Sequence, residues 1–268
     1  MISRRRSMFT RLLLITALSA TPAFAHHSET GFLNRTIAVA GVEYRYQVYV
    51  PMDWNKDKSW PVILFLHGAG ERGDDGLLQT DVGLGQAIRK NSAAFPFIVV
   101  MPQCRKGKSW TQPDMQEQAL AALDQSIKEF HGDRKRVYLS GLSMGGFGTW
   151  DLAAKYPGRF AAYVVICGGI NPLPGFPEIA VTLAKEHKIA DPYAETARLV
   201  GKTPVWIFHG DADPAVPVEE SRKMKAALEA AHADIRYTEY SGVGHESWDR
   251  AYAEPDLVPW LLQHSSKH

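Results

Sequence analysis

A chain of 268 residues, 45% of them hydrophobic, can bury a sizeable apolar core, and α/β folds of this size commonly form one domain. Its formal charge of +1, with Lys and Arg scattered apart from a basic start, leaves no electrostatic footprint for nucleic acid.

In chain order, residues 1–25 come first. Arg4-Arg5-Arg6, the apolar run around Leu12-Leu13-Leu14-Ile15 and Ala23-Phe24-Ala25 have the order of a signal peptide with its cleavage site. This predicts export, with a mature chain of 26–268 in the periplasm or outside the cell. The run is shorter than the ~20 residues of a membrane span, so no stable membrane anchoring is expected. No cysteine precedes Cys104, which leaves no acceptor for a lipid at the cleavage site.

Residues 31–50 alternate apolar and polar positions around Ala40-Gly41, predicting an antiparallel hairpin of Ile37 to Ala40 and Val42 to Val50. Val62 to Leu66, Phe97 to Met101, Val137 to Leu139, Tyr163 to Ile166 and Val205 to Phe208 are instead continuous apolar runs. Such runs suit parallel strands covered on both faces. Between two of them, Met115, Ala119, Leu123, Ile127 and Phe130 recur at helical spacing. Residues 168–203, with Pro172, Pro174, Pro177 and Pro192, are too long for a simple connection and read as a partial cap. A last strand, Ile235 to Tyr240, and one helix from about Trp248 to Leu262 complete an α/β doubly wound, mostly parallel sheet of about eight strands. With that strand order, two strands separate Cys104 from Cys167. About 14 Å at ~4.8 Å per step is too far for a disulfide, so two buried thiols are expected.

The chemistry centres on Gly141-Leu142-Ser143-Met144-Gly145, which joins an apolar strand to a helix. Chance alone would supply the bare Gly-x-Ser-x-Gly pattern in about one such chain in ten, so its flanks carry the weight. A serine on so tight a strand-to-helix turn is a candidate nucleophile, and the glycines two residues either side avoid collisions. Ser143 needs a general base, and the base needs a carboxylate to fix its tautomer. The loops after later strands offer both: His209-Gly210-Asp211-Ala212-Asp213-Pro214, then Gly242-Val243-Gly244-His245. Asp213 lies deeper in its loop, and Pro214 holds it extended. Asp211 suits a turn cap. His245 sits in a glycine-flanked turn, whereas His67 and His209 close strand ends and are expected to bond backbone. His26-His27 read as a mobile mature N-terminus.

An oxyanion needs N–H donors. One is the Met144 amide, and the other is the amide of Ala69, or of Gly70, in His67-Gly68-Ala69-Gly70-Glu71-Arg72-Gly73. Glu71 and Arg72 are candidates for an ion pair with each other. Trp110 and Trp248 are candidate walls for an aromatic or sugar group. Met144 and Phe147 are expected to pack beneath the elbow.

Together, His67 to Gly73, Gly141 to Trp150, His209 to Pro217 and Gly244-His245-Glu246-Ser247-Trp248 resemble the α/β-hydrolase superfamily across about residues 30–265. The nearer resemblance is to secreted feruloyl esterases, dienelactone hydrolases and the prolyl-oligopeptidase catalytic domain. Serine stands where dienelactone hydrolases have cysteine, and the chain lacks an oligopeptidase propeller. Both departures point towards a serine carboxylesterase. The resemblance implies a small-molecule or carbohydrate-linked ester substrate with a short or aromatic acyl group, and no metal or organic cofactor. An exported serine peptidase is the alternative enzyme. A non-catalytic carbohydrate-binding protein would be expected to have lost a triad position, and none is missing.

Overall fold

The computed structural model describes residues 29–186 and 188–266. The expected leader, His26-His27, His187 and His268 lie outside the described residues. The elements run β1 (Gly31–Val39), β2 (Val42–Val50), β3 (Trp60–Leu66), α1 (Leu84–Lys90), β4 (Ile98–Pro102), α2 (Pro113–Glu129), β5 (Gly132–Leu142) and α3 (Met144–Lys155). They continue with β6 (Ala162–Ile166), α4 (Thr182–Lys185), α5 (Pro192–Val200), β7 (Val205–Gly210), α6 (Val218–Ala230), β8 (Ile235–Tyr240), α7 (Trp248–Tyr252) and α8 (Leu257–Leu262).

Eight strands form one sheet in the order β1-β2-β4-β3-β5-β6-β7-β8. The β1–β2 hairpin is antiparallel and joins β4 antiparallel, while β3 to β8 run parallel. Ala40 and Gly41, both at positive φ, make the two-residue hairpin turn that matches strand twist. Chain order reverses beside β3: β4 lies on one side and β5 on the other. Ligand crevices of open α/β sheets form outside the carboxyl ends of strands at such a reversal.

Period-two alternation divides the core into two layers. Val62, Leu64 and Leu66 face α2, α3, α5 and α6, while Ile63 and Phe65 face α1, α7 and α8. Both faces are therefore covered, which is why these strands read as unbroken apolar runs. The α2 helix buries Met115, Ala119, Leu123 and Ile127, the face expected from spacing.

Four details differ from the sequence reading, the first being that β1, expected over Ile37 to Ala40, begins at Gly31 and pairs with β2 along its whole length. The strand expected over 137–139 begins at Gly132, because its first residues are polar and half-exposed and carry no apolar signal. The single helix expected over 248–262 is two, α7 and α8, broken around Pro255. A proline there disfavours helical geometry at Glu254 and removes a donor. Within the 168–203 segment, expected as a partial cap, α5 packs against α3 and α6 as an ordinary crossover helix. The stretch before it is seated by buried Ile179, Ala180 and Val181. It is tied by the Glu178 carbonyl, which accepts from Ser109 Oγ at 2.9 Å and Thr111 Oγ1 at 3.3 Å. The part-buried Arg72–Glu178 ion pair, 3.2 Å, adds at most about 1 kcal/mol, against about 1.5–3 kcal/mol for burying one large aliphatic side chain. The apolar seat dominates. Cys104 and Cys167 are both buried free thiols. No helix among the described residues is long and apolar enough to cross a membrane.

Candidate active site

Ser143 sits between the end of β5 and the start of α3 with φ 51° and ψ −120°, a backbone conformation an L-residue holds only under strain. Its N–H donates to the Ile166 carbonyl at 2.9 Å, and its carbonyl accepts from the Gly146 amide at 2.8 Å, so both flanks of the turn are fixed. The glycines are obligatory: a Cβ on Gly141 would lie 2.1 Å from the Gly145 carbonyl oxygen, and one on Gly145 would lie 1.9 Å from that of Leu66.

The loops after β7 and β8 meet this turn. Ser143 Oγ donates to His245 Nε2 at 2.9 Å, and His245 Nδ1 donates to Asp213 Oδ2 at 2.7 Å. Asp213 Oδ1 accepts the amides of Ala215 at 2.8 Å and Val216 at 2.9 Å, which curls the loop around the carboxylate. Asp211, the competing candidate, accepts the Gly242 amide at 2.6 Å and tethers the two loops. It does not touch His245.

The sequence predicts a backbone bond for His209, and the structure adds side-chain partners to it. Its buried ring donates from Nε2 to Asp213 Oδ2 at 3.2 Å and to the Val216 carbonyl at 3.0 Å, while Nδ1 accepts from Ser221 Oγ at 2.7 Å. One carboxylate oxygen thus receives two imidazole N–H groups. Burial alone would raise the Asp213 pKa, but the donors from His209, His245 and Val216 outweigh it and hold the carboxylate far below its usual range. An acceptor-only carboxylate fixes the proton of His245 on Nδ1 and leaves the Nε2 lone pair towards Ser143. For His245, burial lowers the pKa while the Asp213 hydrogen bond, with Cys167 beside the ring, raises it; the net direction is up. The signal for His209 was its place, four residues before Asp213 at a strand's carboxyl end.

The loop after β3 lies against Ser143: a Cβ on Gly68 would lie 3.7 Å from that of Ser143. His67 holds this loop, donating from Nδ1 to the Gly68 carbonyl at 2.6 Å and accepting the Cys104 amide on Nε2 at 2.9 Å. Full burial pushes its pKa down to about 4, so the ring stays a neutral strut. Gln103 braces the other end through the Glu71 carbonyl at 3.1 Å and the Gly76 amide at 2.7 Å. Met144 opens α3, so its N–H lacks an intrahelical acceptor. Ala69 is half-buried on the braced loop.

Two expectations are corrected. Trp110 is 0% exposed and donates its indole N–H to the His67 carbonyl at 2.9 Å, so it supports the loop from beneath and lines no accessible wall. Arg72 pairs with Glu178 rather than with Glu71, whose carboxyl is folded back over Gly68 and raised in pKa by burial. Trp248 is half-buried and meets His245 edge-on at 5.4 Å between ring centroids. Met144 and Phe147 are buried under the turn.

A protein-family model described as "Putative esterase" matches residues 37–261. A crystal structure of a thermostable esterase superposes with a TM-score of 0.73 at 31% identity, over 87% of this chain and 63% of that one. The feruloyl esterase module from Clostridium thermocellum, complexed with sinapinate, shares the fold with a TM-score of 0.64 at 17% identity, over 88% of this chain and 89% of that one. The isoprenylcysteine alpha-carbonyl methylesterase of Arabidopsis thaliana is 24% identical over 275 residues, covering 88% of this chain and 63% of the plant protein. The chain thus spans somewhat less than two thirds of both the methylesterase and the thermostable esterase.

Proposed function

The chain belongs to the Esterase family, and from that premise we propose that it is an exported serine carboxylesterase acting on short-chain or aromatic acyl esters, carbohydrate-borne ones among them. The observation that carries the mechanism is the relay from Ser143 Oγ to His245 Nε2 at 2.9 Å and from His245 Nδ1 to Asp213 Oδ2 at 2.7 Å, mounted on a strained turn.

In this reading Ser143 Oγ attacks the ester carbonyl as His245 Nε2 takes its proton, and Asp213 stabilises the resulting imidazolium. The carbonyl oxygen becomes an oxyanion, received by the N–H groups of Ala69 and Met144, the latter at a helix N-terminus where the dipole favours negative charge. His245 returns the proton to the departing alcohol. A water molecule, deprotonated by the same nitrogen, then releases the acid and regenerates Ser143. No metal or organic cofactor enters these steps. In the same reading Trp248 flanks the bound group and suits a flat acyl or sugar moiety, supported by its edge-on contact with His245.

Support for aromatic acyl groups comes from the likeness to the sinapinate-bound feruloyl esterase module, and support for export from the order of residues 1–25. The deciding assay is a hydrolysis panel of acetyl, butyryl, long-chain and feruloyl esters alongside a peptide substrate. Acetyl or feruloyl turnover above the long-chain and peptide arms is expected. Peptide turnover above every ester would replace this reading with that of an exported serine peptidase.

A further inference from the structure

Directly behind His245 lies a group the hydrolytic cycle does not use. Cys167 follows β6, is fully buried, and is held at φ 40°, while its N–H donates to the Phe208 carbonyl at 2.8 Å. This backbone is pinned to β7 in a left-handed conformation that a non-glycine residue holds only under strain. It keeps the thiol beside the serine, histidine and aspartate loops. The Cys167 sulfur, a ring nitrogen of His245 and a carboxylate oxygen of Asp213 all lie within 4.8 Å of one another.

We propose that Cys167, His245 and Asp213 form an inhibitory site for a thiophilic divalent cation of the Zn2+ type. Thiolate, imidazole and carboxylate are the three ligand types zinc takes, at about 2.3, 2.0–2.1 and 2.0–2.2 Å. Tetrahedral bonds of those lengths place the ligand atoms about 3.4–3.6 Å apart, so the cluster closes on an ion by side-chain shifts of about 1 Å or less. Half-buried His245 gives the ion a path in from the substrate side. On binding, the Cys167 S–H bond breaks, its proton passes to solvent, a sulfur–metal bond forms, and no electron is transferred. Capture of Nδ1, the ring nitrogen on the Asp213 side, breaks the N–H bond to that carboxylate and moves its proton to Nε2, which then has no lone pair to accept the Ser143 proton. This disables the base, and to this extent the inhibition rests on reading His245 as the base.

The test uses the metal-stripped full chain, Zn2+ titrated into aryl acetate hydrolysis, and Co2+ as a spectroscopic probe that reads binding without activity. Inhibition reversed by a chelator is expected, together with a thiolate-to-Co2+ charge-transfer band. Losing even an outer partner of a bound metal costs roughly 10–100-fold in affinity, so Cys167→Ala should raise the half-inhibitory Zn2+ concentration at least about tenfold and abolish the band. Cys167→Ser, nearly isosteric, serves the same test if the alanine variant does not fold. Cys104→Ala should keep both signals, since that thiol lies after β4. Equal inhibition of the wild-type and Cys167 variants, or a band that follows Cys104, would overturn the proposal. A band that depends on Cys167 without any inhibition would overturn the inhibitory claim alone, since His245 as the base is tested separately by the acid limb of kcat/KM.

Discussion

The strain at Ser143 can be measured by comparing two inactive variants. Ser143→Ala and Ser143→Gly both remove Oγ and its hydrogen bond to His245, but only glycine also removes the Cβ that disfavours φ 51°. A side-chain-bearing residue in so sparsely populated a conformation costs on the order of 1–3 kcal/mol. Against this, glycine's greater freedom in the unfolded chain costs about 0.4–1 kcal/mol. At mid-range values of about 2 and about 0.7 kcal/mol, the glycine variant should therefore be more stable than the alanine variant by about 1.3 kcal/mol. At roughly 2–4 °C per kcal/mol for a domain of this size, that is a rise in Tm of roughly 3–5 °C. Turnover of an aryl acetate should fall in both variants by on the order of 10⁶ in kcat. Urea unfolding of the two proteins at one pH, with the ester assay on the same preparations, decides the matter. A glycine variant no more stable than the alanine variant would refute the strain. Retained turnover in either, with contaminating esterase excluded by active-site titration, would refute Ser143 as nucleophile.

Three further outcomes follow from the same geometry. The base works only when neutral and the Asp213 hydrogen bond raises its pKa, so the acid limb of kcat/KM should lie above pH 6.5. In Asp213→Asn, burial remains as the opposing influence, so the limb should move to lower pH while the rate falls by on the order of 10⁴; a limb moving upward would contradict the assignment. His209→Phe should cost about 1.5–3 kcal/mol in urea unfolding through loss of a hydrogen bond to a buried carboxylate. It should also shift the acid limb, because Asp213 loses one of its two imidazole donors; an unmoved pH profile would make His209 a packing residue only. Gly145→Ala should yield little or no folded protein, since its Cβ would meet the Leu66 carbonyl oxygen at 1.9 Å. Soluble material with wild-type turnover would show that the turn can shift.

The residues legible in the sequence are those whose neighbours are dictated by the local backbone. Ser143 is framed by Gly141 and Gly145, Asp213 is followed by Pro214, and His245 is preceded by Gly244, so each announces a turn after a strand. The parallel strands were equally legible, because covering both faces with helices leaves no polar position in Val62 to Leu66 or Val205 to Phe208. What stayed hidden depends on which distant segments meet. Trp110 reads locally as a ligand wall, yet its burial is decided by the His67 loop, 43 positions earlier in the chain, whose carbonyl it caps. Arg72 has an acidic neighbour in sequence but finds its partner at Glu178, which only the folding of the 168–203 segment brings near. His67 and His209 make the point most sharply. Both are buried, both end at or just beyond a parallel strand, and both looked like backbone-bonded strand caps. The His67 ring hydrogen-bonds the Gly68 carbonyl and the Cys104 amide, while His209 turns the same kind of ring onto the acid that orients His245. A strand's carboxyl end therefore places a residue near the site, and the loop folded above it determines whether that residue meets substrate, acid or backbone.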